Sequence, residues 1–167
     1  MKRILILHGK EGSPNGSKVQ YVKDLKQYEV QVPDYKPKDE DVYVALPRCV
    51  QEVKTFIKNQ WEPDLIIGSS FGGGVLLQLV TDGVWKKPSI FLAQAGVMYG
   101  VASSLPAGLP AILIHGKQDS IVSMQDSVQL ANRHNTAELL LINDTHRLKS
   151  ILEETDLLKW SIERLLC

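Results

Sequence analysis

Short apolar runs alternate with helically spaced apolar positions along the whole chain. Arg3–Leu7 is an apolar run of the buried-strand kind, and a loop rich in Gly, Ser, Pro and Asn, Gly9–Ser17, separates it from a helix over Lys18–Gln27. Glu29–Val32 reads as a brief strand, and Pro33–Asp41, charged and holding two prolines, as a surface loop. Apolar residues at Leu46, Val50, Val53, Phe56 and Ile57 have a helical period, so Leu46–Asn59 is expected to be a helix. Asp64–Gly68 then predicts a strand and Phe71–Val80 a helix. Further strands are expected at Ser89–Ala93, Ala111–His115 and Glu138–Ile142, with helices over Met124–Arg133 and Leu148–Leu165. Six strands joined by helical crossovers imply an α/β fold, a three-layer α/β/α sandwich around a mainly parallel six-stranded sheet. No internal repeat or linker interrupts the pattern, and 167 residues suit a single domain over residues 1–167.

Charge narrows the range of partners. Nineteen Lys and Arg balance nineteen Asp and Glu, so the chain lacks the net field that binding to nucleic acid or an anionic membrane would use. The two cysteines, Cys49 and Cys167, form no CxxC and no cluster with histidine, which argues against a disulfide framework and a zinc site. Met1-Lys2-Arg3 and the following apolar run imitate a signal peptide, but His8-Gly9-Lys10-Glu11 ends the run too soon, and the cytoplasm is the expected location. Pro88 to Gly116 contains no Asp, Glu, Lys or Arg. Pro106, Pro110, Gln94, Ser103 and Ser104 would leave unpaired polar groups in lipid, so the segment reads as two buried strands joined by an uncharged loop, Gln94–Leu109.

In parallel sheets of this kind ligands bind beyond the carboxyl ends of the strands, and chemistry-bearing residues collect there. Gly68-Ser69-Ser70-Phe71-Gly72 follows the third strand as a G-x-S-x-G. The motif suits a strained strand-to-helix turn that lifts the Ser70 hydroxyl above the sheet, with Ser69 misplaced relative to the glycines. A glycine-rich turn holding a phosphate on a helix N-terminus would read the same way. Asp119 follows the fifth strand and His146 the last, with Asp144 as a rival acid placed to shape the turn. The order Ser70…Asp119…His146 is that of nucleophile, acid and base on this architecture. His115 and His134 read as structural. An acyl-transfer site also needs two N–H donors for the oxyanion, and the backbone of Phe71 and of Lys10, after the first strand, can supply them. The same first loop could equally be a flexible connection or a phosphate cradle, though it matches no P-loop.

Together His8-Gly9, Gly68-Ser69-Ser70-Phe71-Gly72-Gly73, His115-Gly116-Lys117-Gln118-Asp119 and Asp144-Thr145-His146 resemble an α/β-hydrolase, with similarity running from Ile4 to the end of the chain. The pattern is similar to small bacterial esterases without a cap, whose first loop reads H-G-x-x-x-S-P as His8 to Pro14 does, and to the retinoblastoma-binding-type serine hydrolases. The resemblance implies an all-parallel sheet of order 2-1-3-4-5-6, a triad of Ser70, Asp119 and His146, and oxyanion donors on Lys10 and Phe71. Only Gln94–Leu109 stands where larger relatives carry a lid, and Ser123 stands where proline is frequent. The expected activity is a carboxylesterase-like serine hydrolase acting on a small-molecule ester or thioester, with no metal or organic cofactor. Val97, Met98, Tyr99, Val101 and Leu105 are expected to line the acyl side of the cleft. Two other readings share the sequence: a catalytically silent binding or scaffold protein of the same fold, and a flavodoxin-like nucleotide binder using Gly9–Ser17.

Overall fold

The computed structural model describes residues 1–132 and 136–167. Its strands are β1 (Lys2–Leu7), β2 (Tyr28–Gln31), β3 (Leu65–Ser69), β4 (Ser89–Leu92), β5 (Ala111–Gly116) and β6 (Ala137–Ile142). The helices are α1 (Ser17–Asp24), α2 (Val42–Asn59), α3 (Phe71–Thr81), α4 (Met124–Asn132), α5 (Ser150–Glu153) and α6 (Leu157–Leu166). All strand pairs are parallel, in the order β2-β1-β3-β4-β5-β6.

Because side chains alternate across a strand, each apolar run serves both faces of the sheet. Leu5, Leu7, Ile66, Phe91 and Leu113 meet α2, α3 and Leu130 of α4 on one face. Ile4, Ile6, Ile67, Ile90, Ile112 and Ile114 meet Val19 and Val22 of α1, Ile151 of α5, and Leu158 and Ile162 of α6 on the other. The central strands are thus sealed on both sides, with Ser89 and His115 as buried polar residues within β4 and β5. Among the described residues no helix is long and apolar enough to cross a membrane. The uncharged stretch Pro88 to Gly116 resolves into β4, β5 and a connection with no helix or strand in it.

Three local expectations need correction. Helix α2 starts at Val42, ahead of Leu46, because Asp41 caps it by accepting from the Tyr43 N–H at 2.9 Å. Burial of Ala45, Leu46, Cys49 and Val50 outweighs the bond that Pro47 removes. The segment Pro33–Asp41 is a loop, but Tyr35 within it is 1% exposed and belongs to the core. The expected helix over Leu148–Leu165 is two helices. Leu148 has φ 52°, outside the helical region, and Thr155 turns back on Ser150, its N–H and its hydroxyl both donating to the Ser150 carbonyl at 3.0 and 3.1 Å. The expected end of α4 at Arg133, and His134, lie outside the described residues.

Candidate active site

Ser70 lies between β3 and α3 with φ 53° and ψ −113°, a conformation that L residues rarely adopt. Surrounding bonds hold it there. Its N–H donates to the Leu92 carbonyl at 2.9 Å, and its carbonyl accepts from Ala95 at 3.1 Å and Gly74 at 3.2 Å. The flanking glycines are required by close approach. A Cβ on Gly68 would lie 2.5 Å from the Gly72 carbonyl oxygen, and one on Gly72 only 1.9 Å from that of Leu7. The turn is compressed between β1 and α3, and the Ser70 side chain projects where the sheet ends.

Two other strand ends bring their side chains to it. The Ser70 hydroxyl donates to His146 Nε2 at 2.9 Å, and His146 Nδ1–H donates to Asp119 Oδ2 at 2.7 Å. The order of donors follows from the acid: a carboxylate only accepts, so the ring proton sits on Nδ1 and Nε2 is left free to accept. Asp119 Oδ1 accepts the N–H groups of Ile121 at 2.9 Å and Val122 at 2.8 Å. Burial opposes ionisation of Asp119, but these two N–H groups and His146 outweigh it and hold the carboxyl below the usual carboxylate range. A hydroxyl, an imidazole and a carboxylate in one hydrogen-bonded line can pass a proton off the hydroxyl while the carboxylate stabilises the resulting imidazolium.

The loop bearing His146 is fastened from two sides. Asp144 accepts the Thr145 N–H at 2.7 Å, and the Ser150 N–H and hydroxyl at 2.8 and 2.6 Å, so it shapes the turn and does not face the imidazole. Lys18, at the start of α1, donates to the Arg147 carbonyl at 2.9 Å. Burial draws its ammonium below the ordinary lysine range, against the pull of Asp144.

Lys10 sits in a tight turn closed by the Gly12 N–H on the Gly9 carbonyl at 3.1 Å. A Cβ built on Gly9 would lie 3.6 Å from Ser70 Cβ, so this turn borders the serine. Among the described residues neither the Lys10 N–H nor the Phe71 N–H has a hydrogen-bond partner. The Phe71 N–H opens α3 and carries the partial positive charge of a helix start.

The uncharged connection after β4 begins beside Ser70. Gln94 Oε1 accepts from Gly96 at 2.9 Å and Val97 at 3.3 Å, and the Tyr99 ring lies 6.2 Å from that of Phe71. Val97 and Tyr99 are half-buried and Met98 is 45% exposed. Leu105 is a different case. It is buried with Leu109 in the core, so it is scaffold and not cleft lining. Two concavities, of about 550 Å³ over α2 (Pro33, Arg48, Phe56) and about 270 Å³ between β6 and α6 (Ile142, Thr155, Leu157), do not border Ser70.

Two residues near the site escaped the sequence reading. Tyr35 was hidden by its charged, proline-rich surroundings. His115, read as structural, places Nε2 3.0 Å from Asp119 Oδ2, the oxygen that also holds His146. The only sequence signal is its spacing from Asp119 across the strand end.

A family model described as serine hydrolase (FSH1) matches residues 17–150. No protein of curated function matches by sequence. Among solved structures, the chain is similar to the alpha/beta hydrolase domain-containing protein 10 from mouse, at 20% identity over 98% of this chain and 89% of that one, with a TM-score of 0.80. It is similar also to Est1E from Butyrivibrio proteoclasticus, at 19% identity over 99% and 87% of the two chains, TM-score 0.73. A third is an alpha-beta serine hydrolase homologue from Coxiella burnetii, at 18% identity over 98% and 85%, TM-score 0.75.

Proposed function

The chain belongs to the serine hydrolase (FSH1) family, and from that premise we propose that it cleaves a small ester or thioester through an acyl-enzyme on Ser70, with His146 as base and Asp119 as orienting acid. The observation that carries this reading is the pair of bonds on one imidazole, 2.9 Å to the Ser70 hydroxyl and 2.7 Å to the Asp119 carboxylate.

Ser70 Oγ attacks the substrate carbonyl carbon as its proton passes to His146 Nε2. The N–H groups of Lys10 and Phe71 receive the oxyanion. The tetrahedral intermediate collapses with cleavage of the bond to the leaving alkoxide or thiolate, which takes the proton from Nε2. Water then repeats the sequence on the acyl-enzyme: its proton goes to His146, the acyl–Oγ bond breaks, and the proton returns to Ser70. Val97, Met98 and Tyr99 border the acyl side. A short, open segment of this kind suits small acyl groups.

A fluorophosphonate probe tests the reading, because only an activated serine reacts with it. The purified protein is expected to be labelled at Ser70 and to hydrolyse p-nitrophenyl esters of short acids. A wild-type protein that takes no label and turns over no ester or thioester would leave a silent scaffold of the same fold.

A further inference from the structure

Gln94, His115 and Ser127 are polar side chains with no exposure to solvent, so each must find its partners inside the protein. Their bonds have a direction. Gln94 Oε1 already accepts from the backbone of Gly96 and Val97, which leaves its Nε2–H to donate to Ser127 Oγ at 3.4 Å. Ser127, having accepted there, donates its own proton to His115 Nδ1 at 2.7 Å. Nδ1 is therefore bare, and the ring proton sits on Nε2. The other side of the ring requires the same tautomer, since Nε2 lies 3.0 Å from the Val122 carbonyl, which can only accept.

The same Nε2, whose hydrogen bond runs to Val122, also lies 3.0 Å from Asp119 Oδ2. We propose that His115 is a positioning residue for Asp119: a second histidine whose Nε2–H, held at the Val122 carbonyl, presents its positive edge to the carboxylate oxygen that His146 also holds. This rests on the reading of Asp119 as the acid that orients His146. With the N–H groups of Ile121 and Val122 on Oδ1 and His146 on Oδ2, the carboxylate has three donors, and the His115 edge closes the remaining side of Oδ2 against rotation away from His146. Among the described residues no lysine or arginine bonds to Asp119 or His115. Helix α3 and strand β4 carry no ionisable side chain, and α4 carries only Asp126.

Polar contacts with a charged group are worth enough that His115→Phe should lower kcat roughly 10- to 100-fold with KM little changed. His115→Gln, whose amide N–H reaches the position of Nε2, should recover most of the loss, which a general packing role would not allow. NMR of the wild-type protein with 15N-labelled histidine reads the tautomer directly and does not depend on a variant that folds. His115 is expected to carry its ring proton on Nε2. An Nδ1–H tautomer or a folded His115→Phe protein with wild-type kcat would overturn the proposal. Failure of fluorophosphonate to label the wild type would instead remove the proposed function, while the NMR signal would still report the His115 tautomer.

Discussion

Tyr35 donates its phenolic proton to the main-chain oxygen of His8 at 2.6 Å, and the two rings stack with centroids 4.5 Å apart. The bond joins the loop after β2 to the loop after β1. It fixes the peptide from which Gly9 and Lys10 continue, and so the direction of the Lys10 N–H. Tyr35→Phe keeps the stacking and leaves a buried carbonyl unpaired, a loss of about 1–3 kcal/mol. We expect a lower melting temperature and a kcat reduced by about tenfold with KM nearly unchanged, since donors of this kind act chiefly in the transition state. Steady-state kinetics with a p-nitrophenyl ester would show it, and an unchanged kcat would detach the first loop from catalysis.

Ser70→Ala removes the hydroxyl and keeps every backbone bond of the turn. The variant should fold with a melting temperature close to wild type, take no fluorophosphonate, and lose about 10⁶ in kcat. Residual turnover near the wild-type rate would place the nucleophile elsewhere.

The two aspartates can be ranked. Asp119→Asn, which favours the wrong tautomer of His146, should cost about 10⁴ in kcat while leaving stability nearly intact. Asp144→Asn disturbs the turn through Ser150 and Thr145, so its main effect should be on melting temperature. Measuring both variants side by side settles the order, and a larger kcat loss from Asp144→Asn would exchange their roles.

Acid should destabilise the protein through these same carboxyls. Burial works against ionisation of Asp119 and Asp144, but their hydrogen-bond donors outweigh it and hold both below the usual carboxylate range. As pH falls, the unfolded chain takes up protons at ordinary carboxylate values while the folded chain does not. Their stabilisation is therefore full above the unfolded value and is lost as pH drops through the folded one. Melting temperature should decline steadily below about pH 5, and more gently in Asp144→Asn. Equal slopes in the two proteins would show that Asp144 contributes nothing to the acid limb.

The strands were legible because a parallel sheet buries both faces, so β1, β3, β4 and β5 stand out as unbroken apolar runs. The turn at Ser70 was legible because contacts as close as those at Gly68 and Gly72 admit only glycine. Tyr35 was not, since its burial depends on His8, from which it is 27 positions distant. His115 looked like core because it is core: its link to Asp119 exists only once the chain after β5 turns back on itself. The break between α5 and α6 depends on Thr155 competing for the Ser150 carbonyl, which an apolar period cannot register.

The approach of Gly72 to the Leu7 carbonyl has a wider consequence. The first strand and the helix behind the serine are separated by less than the width of a methyl group, so the end of the strand at Leu7 and the backbone N–H at 71 are held on what is mechanically one piece. Drift between those two points would require the first strand and the helix to part, so any adjustment of the site falls to the loop beyond Leu7.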